Sequence, residues 1–125
     1  MACPFCTLDS EQLVSEDDLT VAVRDGYPVS PGHTLVIPRR HVSSWFGLDE
    51  VERVAVLHAV DRAKEQLESD LHPDGWNIGI NVGAAAGQTV WHVHVHLIPR
   101  FEGDMDDPRG GVRHCVAGKG HYEAD

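Results

Sequence analysis

Hydrophobic residues recur along this chain with two different spacings. Short runs of β-branched and apolar residues at 19–24 and 33–37, separated by turn residues, predict two antiparallel strands. From 49 to 71 the apolar positions repeat at helical intervals instead, and Asp49 with Glu52 three residues later is typical of a capping box. The pattern therefore predicts two strands followed by one long helix.

The second half of the chain predicts two further strands and a loop. Residues 75–82 and 91–97 alternate apolar with small or polar positions, and in the second of these runs three of the polar positions are histidines. Between them, residues 83–89 form a small-residue loop that would let backbone amides approach a ligand. Residues 103–125 are rich in Gly and Asp without any period, so they predict a loop or arm.

Composition narrows the class of protein. A chain of 125 residues with 42% hydrophobic residues has the size of one globular domain, and no apolar run is long enough to span a bilayer. A net charge of −10 opposes nucleic-acid binding, although a small phosphorylated ligand remains compatible with it. We therefore expect no membrane partner and no nucleic-acid partner. The N-terminus shows no secretory signal, so we expect a cytoplasmic location.

Three histidines on one strand face raise the question of a single metal site. Alternation puts His92, His94 and His96 on the same face. At about 3.4 Å per residue, however, the outer two Cα atoms would lie about 13 Å apart, which leaves no room for the middle residue on a zinc ion with N ligands at about 2.1 Å. The three imidazoles are therefore expected to have different roles and not to bind one metal ion together.

Cysteine usage suggests a separate metal site. The chain has three cysteines and nine histidines, and two of the cysteines form Cys3-x-x-Cys6. This pair could supply two thiolates to a structural zinc, with His41 and His92 as candidates for the other two ligands. A redox-active pair is the alternative, although no thioredoxin-like unit follows it. The sequence leaves both interpretations open.

Three motifs in order resemble one known family. Residues 92–98 (HVHVHLI) resemble the signature of the histidine triad superfamily of nucleotide hydrolases and transferases. Residues 31–41 (PGHTLVIPRRH) resemble the upstream strand of that family, and residues 81–90 (NVGAAAGQTV) resemble its phosphate loop. Together the motifs span about 3–100, so the chain is identified as a member of the superfamily.

The resemblance implies a fold and an assembly. It implies an α+β fold with an antiparallel sheet of about five strands, one long helix and a shorter one. It further implies a single domain over 1–125, with a catalytic core of about 3–100 and an arm at 101–125. The partner it implies is a second copy of the chain, in a homodimer whose two sheets are continuous.

The resemblance also implies a reaction at the α-phosphorus of a dinucleoside polyphosphate or an adenylylated small molecule, through a covalent nucleotidyl-histidine. His94 matches the nucleophile, and a backbone carbonyl near His92 would hold its tautomer. His96 matches a donor to the phosphate, and Thr89 a hydroxyl that relays a proton. His33 matches a histidine that supports the site, and a strand histidine with only a structural role is the alternative.

A set of substrate contacts follows from the same resemblance, for a nucleotide with a purine base. The matching residues are Asp25 for the ribose, Asn81, Gln88, Thr89 and His96 for the phosphate and leaving group, and Phe5, Leu8, Val23 and Leu35 for the base.

Features of two branches occur together in this chain. Some branches of the family hold a structural zinc at four positions that are occupied here by Cys3, Cys6, His41 and His92. The resemblance implies this zinc and no organic cofactor. Residues 86–100 are closer to Fhit-like dinucleoside polyphosphate hydrolases, whereas the CxxC pair resembles Hint-like phosphoramidate hydrolases. A phosphorylase and a nucleotide-binding module with incidental hydrolysis are further alternatives. Arg109 and Arg113 could meet distal phosphates, or could pair with nearby aspartates.

Overall fold

Five antiparallel strands and one long helix supply most of the regular structure in the computed structural model, which describes residues 3–122. The elements are β1 (Leu13–Glu16), β2 (Thr20–Arg24), β3 (Thr34–Pro38), α1 (Glu50–Leu71), β4 (Gly75–Gly79) and β5 (Val95–Arg100). The strands pair in the order β1-β2-β3-β5-β4, every pair antiparallel. Short 3₁₀ helices lie at Ser10–Gln12, Trp45–Gly47, Ala84–Ala86 and Gly111–Cys115. The predicted α+β fold is confirmed, and within 3–122 the shorter helical segments are of the 3₁₀ type.

Helix α1 begins and ends as its sequence predicts. The Asp49 side chain accepts a hydrogen bond from the Glu52 amide at 2.8 Å, and the Glu52 carboxylate accepts one from the Asp49 amide at 3.0 Å. This capping box satisfies amides that the first turn leaves without helical partners. His72 adopts a left-handed conformation with φ +50° and ends the helix.

The two faces of the sheet are covered differently. One face packs on α1 through a core that contains Ala22, Val36, Val95 and Leu97 with Val56, Ala59, Val60, Ala63 and Leu67 of the helix. The opposite face carries Val21, Val23, Leu35 and Ile37, and the N-terminal Phe5, Leu8 and Leu13 pack on them. His96 pairs with Leu35 and therefore lies on this second, helix-free face.

Strand β5 starts later than the alternating pattern predicts. The prediction began it at residue 91, but the strand begins at Val95, so His92 and His94 precede it. In the β3–β5 register Pro38 would stand opposite Val93, and proline has no N–H to continue the ladder. The Val93 amide instead donates to the Val42 carbonyl at 2.7 Å. This departure lets the three histidines face different partners.

Other differences are smaller. Strand β4 ends at Gly79 rather than at residue 82, and β1 was not located from the sequence. No helix within 3–122 combines the length and apolar character required to cross a bilayer.

Candidate active site and metal centre

His94 has one ring nitrogen committed and one free to react. Its Nδ1 lies 2.9 Å from the His92 carbonyl oxygen, as the resemblance implied. A carbonyl only accepts, so the neutral ring carries its proton on Nδ1 and keeps a lone pair on Nε2. The His96 ring lies next to it, with 5.0 Å between the ring centroids. The arrangement gives a nucleophilic nitrogen beside a second imidazole.

A relay of hydrogen bonds determines the tautomers of His33 and His96. The Val29 amide donates to His33 Nδ1 at 3.2 Å, so the neutral His33 ring carries its proton on Nε2. That Nε2 lies 2.9 Å from His96 Nδ1 and 3.3 Å from a carboxylate oxygen of Asp25. When His33 donates to His96 Nδ1, the remaining proton of a neutral His96 is on Nε2. His96 then presents an N–H donor.

Burial keeps both of these imidazoles uncharged near neutral pH. Burial, followed by the neighbouring His94 and His33, lowers the pKa of His96 to about 4, and the Asp25 carboxylate opposes this shift. Burial likewise lowers the pKa of His33, again opposed by Asp25. His33 is 3% exposed. His96 can therefore donate a hydrogen bond at pH 7 without carrying a charge.

The two N-terminal cysteines lie close to two histidines, His41 and His92, in a separate cluster. Ligand atoms of Cys3, Cys6, His41 and His92 all lie within 4.8 Å of one another. His92 is fully buried, and its Nε2 lies 2.7 Å from the Pro38 carbonyl oxygen. The proton of the neutral ring is therefore on Nε2, and the Nδ1 lone pair faces the thiols.

The spacing of these four side chains fits a tetrahedral zinc ion. Zn–S and Zn–N bonds of about 2.3 and 2.1 Å at a tetrahedral angle would place sulfur and nitrogen about 3.6 Å apart. The Sγ atoms of Cys3 and Cys6 lie 3.5 and 3.6 Å from His92 Nδ1, and Cys6 Sγ lies 3.2 Å from His41 Nδ1. Two thiols and two imidazoles are a full set of four ligands for a structural zinc, and the Pro38 carbonyl bonded to His92 Nε2 would hold that ring in its ligating orientation.

The loop before the histidines is held by Gln88. This residue is 4% exposed, its Oε1 accepts from the Gly83 amide at 2.9 Å, and its Nε2 donates to the Ser43 carbonyl at 2.7 Å and the Val90 carbonyl at 3.1 Å. A direct contact of this side chain with phosphate would require one of these bonds to break. Thr89 is exposed and Asn81 half-buried, so both are accessible to a ligand.

The predicted base-binding residues form a layer rather than an open pocket. Val23 and Leu35 are buried beneath Phe5 and Leu8. The Phe5 ring meets His94 edge-on, with centroids 5.0 Å apart and an angle of 76°. Phe5 and Leu8 thus present the ligand-accessible surface of this set.

A surface cavity of about 500 Å³ lies between the end of β2 and the start of β3. Arg24, Asp25 and residues 28–33 line it. Of the predicted site residues it includes Asp25 and His33 alone. The Asp25 side chain accepts from the Tyr27 amide at 2.8 Å, which fixes its orientation toward the histidines.

One ion pair close to the site was not expected from the sequence. Arg40 donates to both oxygens of the Glu52 carboxylate at 2.7 and 2.9 Å, and this pairing lowers the pKa of Glu52 to about 2. It joins the start of α1 to the segment that carries His41. The sequence signal for this pair was that Glu52 stands four residues before Val56, on the apolar side of the predicted helix, where a carboxylate needs a partner.

The C-terminal arm uses its arginines internally. Arg109 pairs with Asp107 at 2.9 Å, and Arg113 stacks over the Tyr122 ring at 4.5 Å while donating to the Gly120 carbonyl at 3.2 Å. Arg109 thus pairs with an aspartate, as the second alternative proposed, whereas an aromatic ring and a backbone carbonyl hold Arg113 in place of an aspartate.

Comparisons with known proteins agree with the fold and the motifs. The family model described as a HIT domain matches residues 8–103. An uncharacterized HIT-like protein from Borreliella burgdorferi is 41% identical over 109 residues, which cover 82% of this chain and 78% of that protein. A Zn-bound histidine triad family protein from Mycobacterium smegmatis has a TM-score of 0.75 and 35% identity, over 82% of this chain and 78% of that one.

One relative with a named activity matches most of this chain but only about half of its own length. The AP-4-A phosphorylase of Mycobacterium tuberculosis is 37% identical over 100 residues, which are 78% of this chain and 51% of that protein. The chain thus spans about half the length of this relative. On the family match and these identities, the chain belongs to the HIT family of nucleotide-processing proteins.

Proposed function

We propose that this protein is a nucleotidyl hydrolase that cleaves dinucleoside polyphosphates or adenylylated small molecules at the α-phosphorus. The observation that supports this most strongly is the state of His94. Its Nδ1 proton is engaged by the His92 carbonyl at 2.9 Å, which leaves a lone pair on Nε2 beside the His96 donor. A neutral imidazole held in this way is a nucleophile at pH 7.

The reaction would proceed in two displacements. His94 Nε2 attacks the α-phosphorus, a P–N bond forms, and the bond to the leaving group breaks with its electron pair on that group. The Thr89 hydroxyl donates its proton to the leaving group and regains one from solvent. Water then attacks the same phosphorus, loses a proton to solvent, and the P–N electrons return to His94. In both steps His96 donates to a non-bridging oxygen, where charge develops.

The remaining residues would bind and orient the nucleotide. Asp25 accepts from the ribose hydroxyls, and Asn81 and Thr89 contact phosphate. Phe5 and Leu8 contact a purine base over the layer formed by Val23 and Leu35, whereas Gln88 holds the phosphate loop in shape. His33 maintains the tautomer of His96.

A zinc ion held by Cys3, Cys6, His41 and His92 would have a structural role. It would join the N-terminal segment to the chain just before the nucleophile. The arrangement of the donors supports this proposal, together with the Zn-bound relative from M. smegmatis.

Product analysis tests the proposal. Diadenosine tetraphosphate and an adenosine phosphoramidate are each incubated with wild type, His94→Asn and, as a matched control, His58→Asn on the exposed side of α1. We expect AMP from at least one substrate with wild type and the control, and a loss of at least about a thousandfold with His94→Asn. The absence of turnover with both substrates, or full turnover by His94→Asn, would contradict the proposal.

A phosphorylase is a second candidate, because one relative is an AP-4-A phosphorylase. Inorganic phosphate would then replace water in the second displacement and convert the adenylyl group into ADP rather than AMP. Adding phosphate to the diadenosine tetraphosphate reaction distinguishes the two activities.

A nucleotide-binding module with incidental hydrolysis is a further alternative. It requires that His94→Asn keep its nucleotide affinity and its cellular effect. A variant that retains the affinity but loses the effect would exclude this alternative.

A further inference from the structure

The N-terminal turn that carries both cysteines also touches the nucleophile. Phe5 lies between Cys3 and Cys6, and its ring is edge-on to His94 at 5.0 Å and to His92 at 6.1 Å. Residues 3–7 lie outside the range that the family model matches. A segment outside the common family range thus forms one side of the candidate active site.

In the part of the chain that the structure describes, few contacts other than the Cys/His cluster hold this turn in place. Within the turn, the Cys6 amide donates to the Cys3 carbonyl at 3.1 Å, and the Thr7 hydroxyl donates to the same carbonyl at 3.3 Å. Both bonds are local and would move with the segment. Within residues 3–122, apolar contact of Phe5 and Leu8 with the helix-free face is the remaining attachment of the turn before β1.

The cluster supplies a rigid anchor at its other end. His92 is fully buried, its Nε2 is bonded to the Pro38 carbonyl, and its own carbonyl accepts from His94. A metal joining Cys3 and Cys6 to His92 would therefore fix the turn relative to the residue that orients the nucleophile. Without the metal, thiol–imidazole contacts at 3.2 to 3.6 Å are weak hydrogen bonds.

We propose that metal binding by Cys3, Cys6, His41 and His92 positions Phe5 against His94, and that metal occupancy thereby sets the affinity of the site for its nucleotide. Phe5 is a positioning and base-contacting residue in this scheme. The effect on affinity rests on the proposed function, whereas the placement of Phe5 against His94 does not.

A thermodynamic cycle tests the effect on affinity. AMP is titrated by calorimetry into zinc-loaded protein, into protein stripped with a chelator, and into stripped protein reloaded with zinc, for wild type and Phe5→Ala. We expect stripping to weaken AMP binding to wild type about five- to tenfold, the range expected for the loss of one aromatic contact, and zinc to restore it. Zinc-loaded Phe5→Ala should be weakened equally, and stripping should weaken it no further. Phe46→Ala, which removes an exposed ring elsewhere, should behave as wild type.

An NMR measurement tests the placement of Phe5 without a nucleotide. The ring-proton signals of His94, assigned by their loss in His94→Asn, carry the ring-current shift of Phe5. We expect stripping to remove this shift in wild type and to change it little in Phe5→Ala.

The two measurements separate the possible failures. A ring-current shift that survives stripping, or an AMP affinity that is unchanged by stripping, would overturn the inference. If zinc-loaded wild type binds no AMP while stripping does remove the shift, the proposed function and the effect on affinity fail, but the placement of Phe5 by the metal stands.

Discussion

At the scale of single residues, backbone groups determine which nitrogen of each histidine is available. The His92 carbonyl holds the Nδ1 proton of His94, and the Val29 amide leaves His33 with its proton on Nε2. The family resemblance predicts the bond between His94 and a carbonyl near His92, but it does not predict the backbone bond that determines the tautomer of His33. The first bond involves a neighbour at i−2 and could be expected, whereas no sequence pattern indicates the loop amide of Val29.

Replacing His33 should reduce turnover more than substrate affinity. In His33→Ala the Nδ1 atom of His96 loses its donor, so the His96 proton can shift to Nδ1 and bond Asp25, which leaves no N–H for the phosphate. We expect kcat to fall about tenfold to a hundredfold with little change in KM. The control is His58→Ala. An unchanged kcat in His33→Ala would show that the relay has no part in the reaction.

The lowered pKa of His96 predicts a pH dependence of stability. The unfolded chain binds a proton at His96 below about pH 6.5, whereas the folded protein, with a pKa of about 4, does not. The stabilisation is therefore present above pH 6.5 and is lost as pH falls toward 4, by up to about 3 kcal/mol. Urea unfolding at pH 7 and 4.5 should show a smaller loss for His96→Asn than for wild type. Parallel losses in both proteins would contradict the assignment.

At the scale of elements, the sequence predicted an element correctly where both its end signals and its apolar spacing were present. Helix α1 was predicted within one residue because its capping box and apolar spacing agree. Strand β5 was predicted to start too early, because Pro38 ends the ladder from the partner strand and alternation within the histidine segment does not reveal this. Strand β1, with the sequence LVSE, has too short a pattern to be recognised.

The Glu52 carboxylate combines a helix cap with an ion pair. It accepts from the Asp49 amide and from two donor atoms of Arg40, and the residue is 7% exposed. Glu52→Ala should lower the free energy of unfolding by about 2 to 3 kcal/mol, because a charge-assisted pair and a capping bond are lost together. Glu50→Ala, in the same turn but exposed, should change it by less than about 0.5 kcal/mol. Denaturant unfolding of both variants measures the difference, and equal effects would refute it.

At the scale of the whole molecule, composition and motif order indicated the class of protein correctly. The antiparallel sheet with one helix follows from the family resemblance rather than from strand patterns alone. The split into a core at 3–100 and an arm at 101–125 stays a prediction, as does the homodimer.

The molecule has a surface suited to the expected dimer. Strand β4 is an edge of the sheet with Ile78 53% exposed, and α1 exposes Val51, Val54 and Leu57. An unpaired edge and an apolar helix side favour association with a second copy. Sedimentation should show a dimer for wild type and for Val116→Asp, a control on the arm, and a monomer for Ile78→Asp with Leu57→Asp. A monomeric wild type would contradict the expectation.

The proposed reaction requires that His94 become covalently nucleotidylated. Rapid-quench mixing of the zinc-loaded protein with diadenosine tetraphosphate, followed by mass spectrometry of its peptides, tests it directly. We expect an adenylyl group on the peptide that contains His94, formed before the bulk of the product and absent from His94→Asn. Turnover without any such adduct at early times, or an adduct on a different residue, would contradict it.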